Sequence, residues 1–165
     1  LRTSEFINNE LGFSFIYRVN PDSYSVVLQP TAGASYQNLL AMYSVMKTSD
    51  YNKIIQDSAK GIYYGSPTAI GVQVYDAGGA ININTWLLDN SISTNCEVET
   101  IFVTTVDGKD TSGCNWSGMY EGITAALLHK NKVYMLTGER DENISAYKYS
   151  NYSDFNELVS SFRVY

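Results

Sequence analysis

The chain contains one histidine, His129, so any Ser-His-Asp triad or Cys-His dyad has to use it. His129 opens a His-Lys-Asn-Lys stretch between two apolar runs. That cationic hairpin setting suits an exposed, solvated side chain better than a general base. Strings that would announce a mechanism are missing: there is no G-x-S-x-G, Walker A, G-x-G-x-x-G or H-E-x-x-H. Carboxylates gather twice, at Asp107 with Asp110, and at Glu139, Asp141 and Glu142 around Arg140. Calcium takes about six or more oxygens, commonly from a D-x-D-x-D-G loop, and neither stretch supplies them. Both read as solvated turns. A glycosidase pair is defined by separation in space, and nothing in the sequence points to one. The expectation is a chain with no catalytic residue, no metal ligand and no cofactor.

Cys96 and Cys114 fit no zinc spacing, and one histidine cannot complete a four-ligand site with them alone. Two readings stay open. They are unrelated buried thiols, or a structural disulfide of an exported protein, closing a loop worth about 3 kcal/mol. Recognition chemistry is better represented. The chain holds 14 tyrosines while its charged content is 17%, against a usual value near 25%. Tyr63 and Tyr64 lie between Gly61 and Gly65, in a loop where core packing has less claim on them. An exposed tyrosine offers a large contact area at small entropy cost, which suits a binding surface. The competing reading packs one of these rings over a sheet edge. Tyr147 and Tyr149, with Tyr152, form a second tyrosine-rich stretch, whose alternation also fits an edge strand. Trp86 and Trp116 read as core or hairpin anchors. Asn115, Asn143 and Asn151 begin N-x-S triplets, which a chain this rich in Asn and Ser produces by chance.

Bulk properties narrow the class. With 17 acidic and 11 basic residues among 165, the net charge is -6. The resulting pI near 4.6 excludes a phosphate-neutralising nucleic-acid binder. The longest uncharged stretch, Ser23 to Met46, contains Gln29, Pro30, Gln37 and Asn38 and is too polar to be a membrane helix. Leu1 to Leu11 lacks the apolar core of a signal peptide, and the first residue is not Met, so a processed or trimmed chain is expected.

The elements that must position these residues follow from periodicity. Phe13, Phe15 and Tyr17 alternate with Ser14 and Ile16, and Tyr24, Val26 and Leu28 alternate again, with turn residues between them; a hairpin is expected. Leu39 to Met46 is apolar on both parities, the pattern of a strand buried on both faces. Tyr51, Ile54, Ile55 and Ser58 predict a helix that starts at Ser49-Asp50 and ends at Gly61. Ile70, Val72 and Val74 make a strand, and Asn82 or Asn84 caps a short helix carrying Trp86 and Leu87. Val98 to Val106 alternates up to the Asp107-Gly108 turn, and Gly113 to Tyr120 follows as a strand. Ile123 to Leu128 and Val133 to Thr137 form a tight hairpin. Ser153 caps a final helix with Phe155, Leu158, Val159 and Phe162 on one face. No repeat or linker divides residues 1–165, which read as one domain of the α+β class, an αβα sandwich with a central, mainly antiparallel β-sheet.

Four pieces of this pattern together resemble the PsbP-like superfamily. They are Gly12-Phe13-Ser14-Phe15-Ile16-Tyr17, Ser49-Asp50-Tyr51 leading to Ser66-Pro67-Thr68-Ala69-Ile70, Trp86-Leu87, and the closing run from Val106-Asp107-Gly108 through Asn131-Lys132-Val133-Tyr134 to Asp154-Phe155 and Ser161-Phe162. That superfamily includes extrinsic proteins of photosystem II, a Ran-binding nuclear-import factor and exported bacterial proteins of unknown role. The resemblance implies the αβα sandwich and a binding or assembly module rather than an enzyme. It selects no partner, because function lives in sites grafted on a fold. The expectation is an extracytoplasmic module, secreted, periplasmic or surface-anchored, acting on an unidentified protein or envelope partner. Alternatives are a small-molecule or glycan binder or hydrolase in a sheet-edge cleft, and a self-assembling surface protein.

Overall fold

The computed structural model describes residues 2–20, 23–31, 36–62, 69–117, 121–139 and 152–165. In chain order the first elements are β1 (Arg2–Asn8), β2 (Phe13–Asn20), β3 (Tyr24–Leu28), β4 (Leu39–Lys47) and α1 (Thr48–Ala59). They are followed by β5 (Ile70–Asp76), α2 (Ile83–Asp89), α3 (Ser91–Thr94) and a 3-10 turn over Val98–Thr100. The last group is β6 (Ile101–Val106), β7 (Lys109–Ser117), β8 (Glu121–His129), β9 (Lys132–Glu139), α4 (Tyr152–Ser161) and β10 (Arg163–Val164).

Seven strands form an antiparallel sheet in the order β3-β4-β5-β9-β8-β7-β6, and β1-β2-β10 form a smaller one. Because side chains alternate along a strand, the large sheet has two apolar faces. Val72 and Val74, Ala125 and Leu127, Tyr134 and Leu136 point to one of them, where they meet Phe13 and Phe15 of β2 and Phe155 and Leu158 of α4. Tyr75, Ala126, Val133 and Met135 point to the other, where Trp86 and Leu87 of α2 close over them. The architecture is thus an α+β sandwich with a mainly antiparallel central sheet between helical layers. The small sheet shares the α4 side.

Local chemistry explains the joints. Asn82 accepts from Thr85 N at 3.2 Å and starts α2, as its position before the Trp86-Leu87 pair predicts. Lys130 and Asn131 both adopt positive φ, giving the two-residue turn that matches strand twist in the β8-β9 hairpin. Gly12 turns β1 into β2 at φ 71, and a Cβ there would sit 2.8 Å from the Tyr165 carbonyl oxygen.

Several expectations are corrected. β2 and β3 do not pair with each other: β2 lies between β1 and β10, and β3 pairs with β4. The opening segment, read only as a failed signal peptide, is strand β1. Leu40 is exposed and Met42 half-buried, so β4 buries mainly one face instead of two. The Val98 end of the next expected strand is a 3-10 turn, and β7 (Lys109–Ser117) begins at Lys109 rather than Gly113, while the expected end at Tyr120 lies outside the described residues. Helix α4 begins at Tyr152, which puts Ser153 inside its first turn instead of at the cap.

Candidate functional site

The residues singled out for recognition, Tyr63, Tyr64, Tyr147 and Tyr149, lie outside the described residues. Three other groupings do have defined geometry. The first is the layer over the second sheet face. Cys96 and Cys114 are joined by a disulfide, with Cα atoms 5.6 Å apart, and both are buried. Thr94 sits at the centre of the joint: its hydroxyl donates to Leu87 O at 2.8 Å and accepts from Cys96 N at 3.1 Å. The bond therefore ties the end of the α2–α3 segment to β7, resolving the open question about the two thiols. Trp86 packs edge-on against Tyr75, 5.2 Å between ring centres. Trp116 donates from Nε1 to Thr124 Oγ1 at 3.1 Å, with its ring over Gly122. Both tryptophans are anchors, as their surroundings in the sequence suggest.

Ile81 and Ile92, which flank this layer, are 96% and 88% exposed. A water-facing aliphatic side chain on a covalently held segment gains nothing from packing within the chain. It is available to a partner at little ordering cost.

The second grouping was not legible in the sequence. Arg18 of β2 meets Asp154 and Glu157 of α4, and Tyr24 of β3 donates to Asp154. The Arg18 Nε–Glu157 Oε2 distance is 2.9 Å and the Nη1–Asp154 Oδ1 distance 3.0 Å. Bonding to Glu157 raises the guanidinium pKa; burial opposes this, and the Asp154 charge adds to it. A cavity of about 100 Å³ lies beneath, lined by Ile16, Val45, Ile70 and Leu158 with the charged groups at its mouth. Ligand pockets usually measure roughly 300–1,000 Å³, so this one is too small for a drug-sized molecule. With its donors engaged by carboxylates, Arg18 clasps α4 onto β2 and β3 and presents no open cation to an anion. Beside it runs a wider, open groove of about 950 Å³ along α4, lined by polar groups that include Glu5, Asn156, Ser160 and Arg163.

The third grouping surrounds His129 and Asp107. Asp107 does not project into solvent as a calcium-type turn: its Oδ2 accepts from Val164 N at 3.2 Å and lies 3.3 Å from Lys109 Nζ, while Arg163 Nε is 3.7 Å from Oδ1. These contacts fasten the C-terminal strand to the β6-β7 turn. His129 is half-buried, not fully exposed, and its Nε2 has neither solvent contact nor a hydrogen-bond partner among the described residues. Burial lowers its pKa, Lys109 and Lys130 lower it further, and Asp107 opposes them. Among the described residues no serine hydroxyl is bonded to it, and the cysteines are oxidised. Among the described residues, no three His, Cys, Asp or Glu side chains cluster to hold a metal. No helix there is long and apolar enough to cross a membrane.

This arrangement, an antiparallel sheet with α4 and a small sheet on one face and α2 on the other, defines a known sandwich class. The chain has a PsbP-like fold: it superposes on cyanobacterial PsbP (CyanoP) from Synechocystis sp. PCC 6803 with a TM-score of 0.56. The match covers 99% of this chain and 92% of that one at 11% sequence identity, so the likeness speaks to the fold. No family model matches the sequence, and no curated protein matches it.

Proposed function

We propose that residues 1–165 act as one domain, a non-enzymatic, extracytoplasmic binding or assembly module. The observation that carries this reading is the exposure of Ile81 and Ile92 around a layer held by the Cys96–Cys114 bond. A staple that fixes a solvent-facing aliphatic surface pre-organises it for a protein partner. A disulfide also favours an oxidising compartment, secreted, periplasmic or at the surface. Tyr63 and Tyr64, with Tyr147 and Tyr149, are proposed as further contact residues, because tyrosine offers a large contact area at small entropy cost. The fold it shares with cyanobacterial PsbP is compatible with such a role.

One test places a photo-crosslinking residue at position 92 or 63 in the native host. A discrete adduct with another protein from either position is expected, while position 55 on α1 serves as an exposed apolar control. Crosslinking no greater than at position 55 would overturn the reading. The polar groove along α4 supports a second reading, a small-molecule or glycan site. Glycan-dependent protection of the segment around Ser160 and Arg163 in hydrogen exchange would favour it over the first.

A further inference from the structure

We propose that β6 is a docking edge for an extended, cationic segment of another protein, which adds a strand to the large sheet. The inference deepens the protein-partner reading above and rests on its premise, naming how such a partner is held and what chemistry it carries. β6 is the terminal strand of the seven-stranded sheet and bonds only β7 among the described residues, in an unbroken register from Ile101↔Cys114 to Val106↔Lys109. Its outer row of backbone N–H and C=O groups has no protein partner there, and another extended backbone is what satisfies such a row. Natural edges are usually blunted by an inward charge, a proline, a bulge or a covering element. Ile-Phe-Val-Thr-Thr-Val has neither charge nor proline, and its register shows no bulge. Val103 is 82% exposed, so α2 does not reach over this end of the sheet.

The opposite edge strand differs. β3 touches α1 and β2, and Tyr24 at its start is bonded to Asp154 of α4.

Strand alternation says what an added strand meets on each side. Ile101, Val103 and Thr105, with Asp110 across from Thr105, share the face of Cys114 and Ala126, which is the α2 side. The charges beside β6 on that face are acidic. Glu97 and Glu99 lie exposed just after Cys96, which is bonded to Cys114, and Asp110 is exposed at the other end. Val103 stands between them. The nearest cations belong elsewhere among the described residues. Lys109 alternates to the α4 side, where it and Arg163 both meet Asp107, and Lys130 and Lys132 lie at the β8-β9 turn, at least two strands in from β6. On the α4 side the edge shows Phe102, Thr104 and Val106, and the Phe102 ring lies over Gly113, 2.8 Å from where a Cβ would stand.

The occupant that fits therefore alternates in character. Lys or Arg falls on the α2 side, with its stem over Val103 and its charge beside Glu99 and Asp110, and aliphatic residues fall beside Phe102 and Thr104. Main-chain pairing supplies affinity, and the alternation supplies selectivity. The net charge of -6 draws a cationic segment toward the chain. A second β6 carries no cation to set against Glu99 and Asp110, so the edge favours a different protein.

The probe is a peptide of alternating lysine and valine, as long as β6, added to the full chain. Binding with a Kd of about 1 mM or tighter at low salt is expected, with amides of residues 101–106 gaining protection from hydrogen exchange. The same peptide with glutamate for lysine should bind at least about tenfold more weakly, because like charges then meet. E99Q/D110N should weaken binding of the lysine peptide about fivefold, the worth of two exposed ion pairs. V103K should weaken it at least about tenfold, because lysine at an edge blocks pairing. Both variants change exposed residues and should leave the melting temperature unchanged. Protection that appears outside β6, equal binding of the glutamate peptide, or binding that V103K leaves unchanged would overturn the proposal. So would protection of residues 101–106 that rises with protein concentration alone, since the edge would then belong to a second copy. Such results leave the adduct from position 92, and with it the binding reading, standing. An absent adduct, with the peptide bound as described, counts against the Ile92 surface and leaves β6 as the docking edge.

Discussion

The two faces of the central sheet are covered by different means. On the α4 side, Phe13 and Phe15 of β2 stack against Phe162, with ring centres 5.6 and 6.4 Å away, and Tyr43 and Tyr134 close the cluster edge-on. A second sheet and a ten-residue helix shut out water there. On the α2 side the cover is a seven-residue helix and one further turn. A helix that short is marginal by itself, since nucleation costs more than two turns return. The disulfide offsets this by holding the end of the segment to β7. One face is held by aromatic area, the other by a covalent bond, and aliphatic exposure is greater on the second, where Ile81 and Ile92 are 96% and 88% exposed against 53% and 43% for Ile7 and Ile16 of the small sheet. On the proposed binding role, stability and recognition would fall on different faces of the sheet.

The sharpest way to break this contrast is on the aromatic side. F162A removes a fully buried ring that touches Phe13, Phe15 and Tyr134, and its loss should cost about 3–5 kcal/mol in denaturant unfolding. The cavity left behind is shared by α4 and β2, so both should loosen together. A loss below about 1 kcal/mol, in the range of ordinary surface substitutions, would show that the aromatic layer is not what holds that face.

On the other face, C96S/C114S should cost about 3 kcal/mol, the loop-closure value for cysteines 18 residues apart. The pattern matters more than the size. Hydrogen exchange should rise first in α2, α3 and the turn before β6, and β9 should stay protected. Uniform loosening of both faces would mean that the disulfide supports the whole sandwich. Intact mass of protein taken from its native compartment should show both thiols oxidised.

What could be read from the sequence was whatever is decided locally. The Asn82 cap, the Lys130-Asn131 turn and the Trp86 anchor each depend on residues a few positions apart, and each is found where periodicity and turn chemistry place it. The β2-β3 hairpin failed because β2 has a better partner on each side, one of them β10 at the far end of the chain. Arg18 and Glu157 are 139 residues apart, so no spacing rule brings them together. The disulfide stayed open for a similar reason. Cys114 comes close to Cys96 because β7 pairs with β6 and the turn before β6 folds back over β7, and neither fact is written near either cysteine. The tyrosines of the two proposed contact stretches lie outside the described residues, so crosslinking is their test.

The smallest expected effect concerns pH and also falls on the aromatic side of the contrast. His129 shares its strand face with Ala125 and Leu127 and stands beside the contact of Asp107 with β10. Burial lowers its pKa, with Lys109 and Lys130 acting in the same direction, so the folded protein takes up that proton at lower pH than the unfolded chain. Between the folded value and the ordinary 6.5, the unfolded state binds more protons, and stability must therefore rise with pH. The contribution is complete above 6.5 and is lost as pH falls toward the folded value. H129Q keeps a neutral polar group and should flatten this part of the profile in chemical unfolding at a series of pH values. The α2 face, held by a bond that does not titrate, should show no matching change in local exchange. If H129Q leaves the acid side of the profile as steep as before, the proton that destabilises the folded chain binds elsewhere.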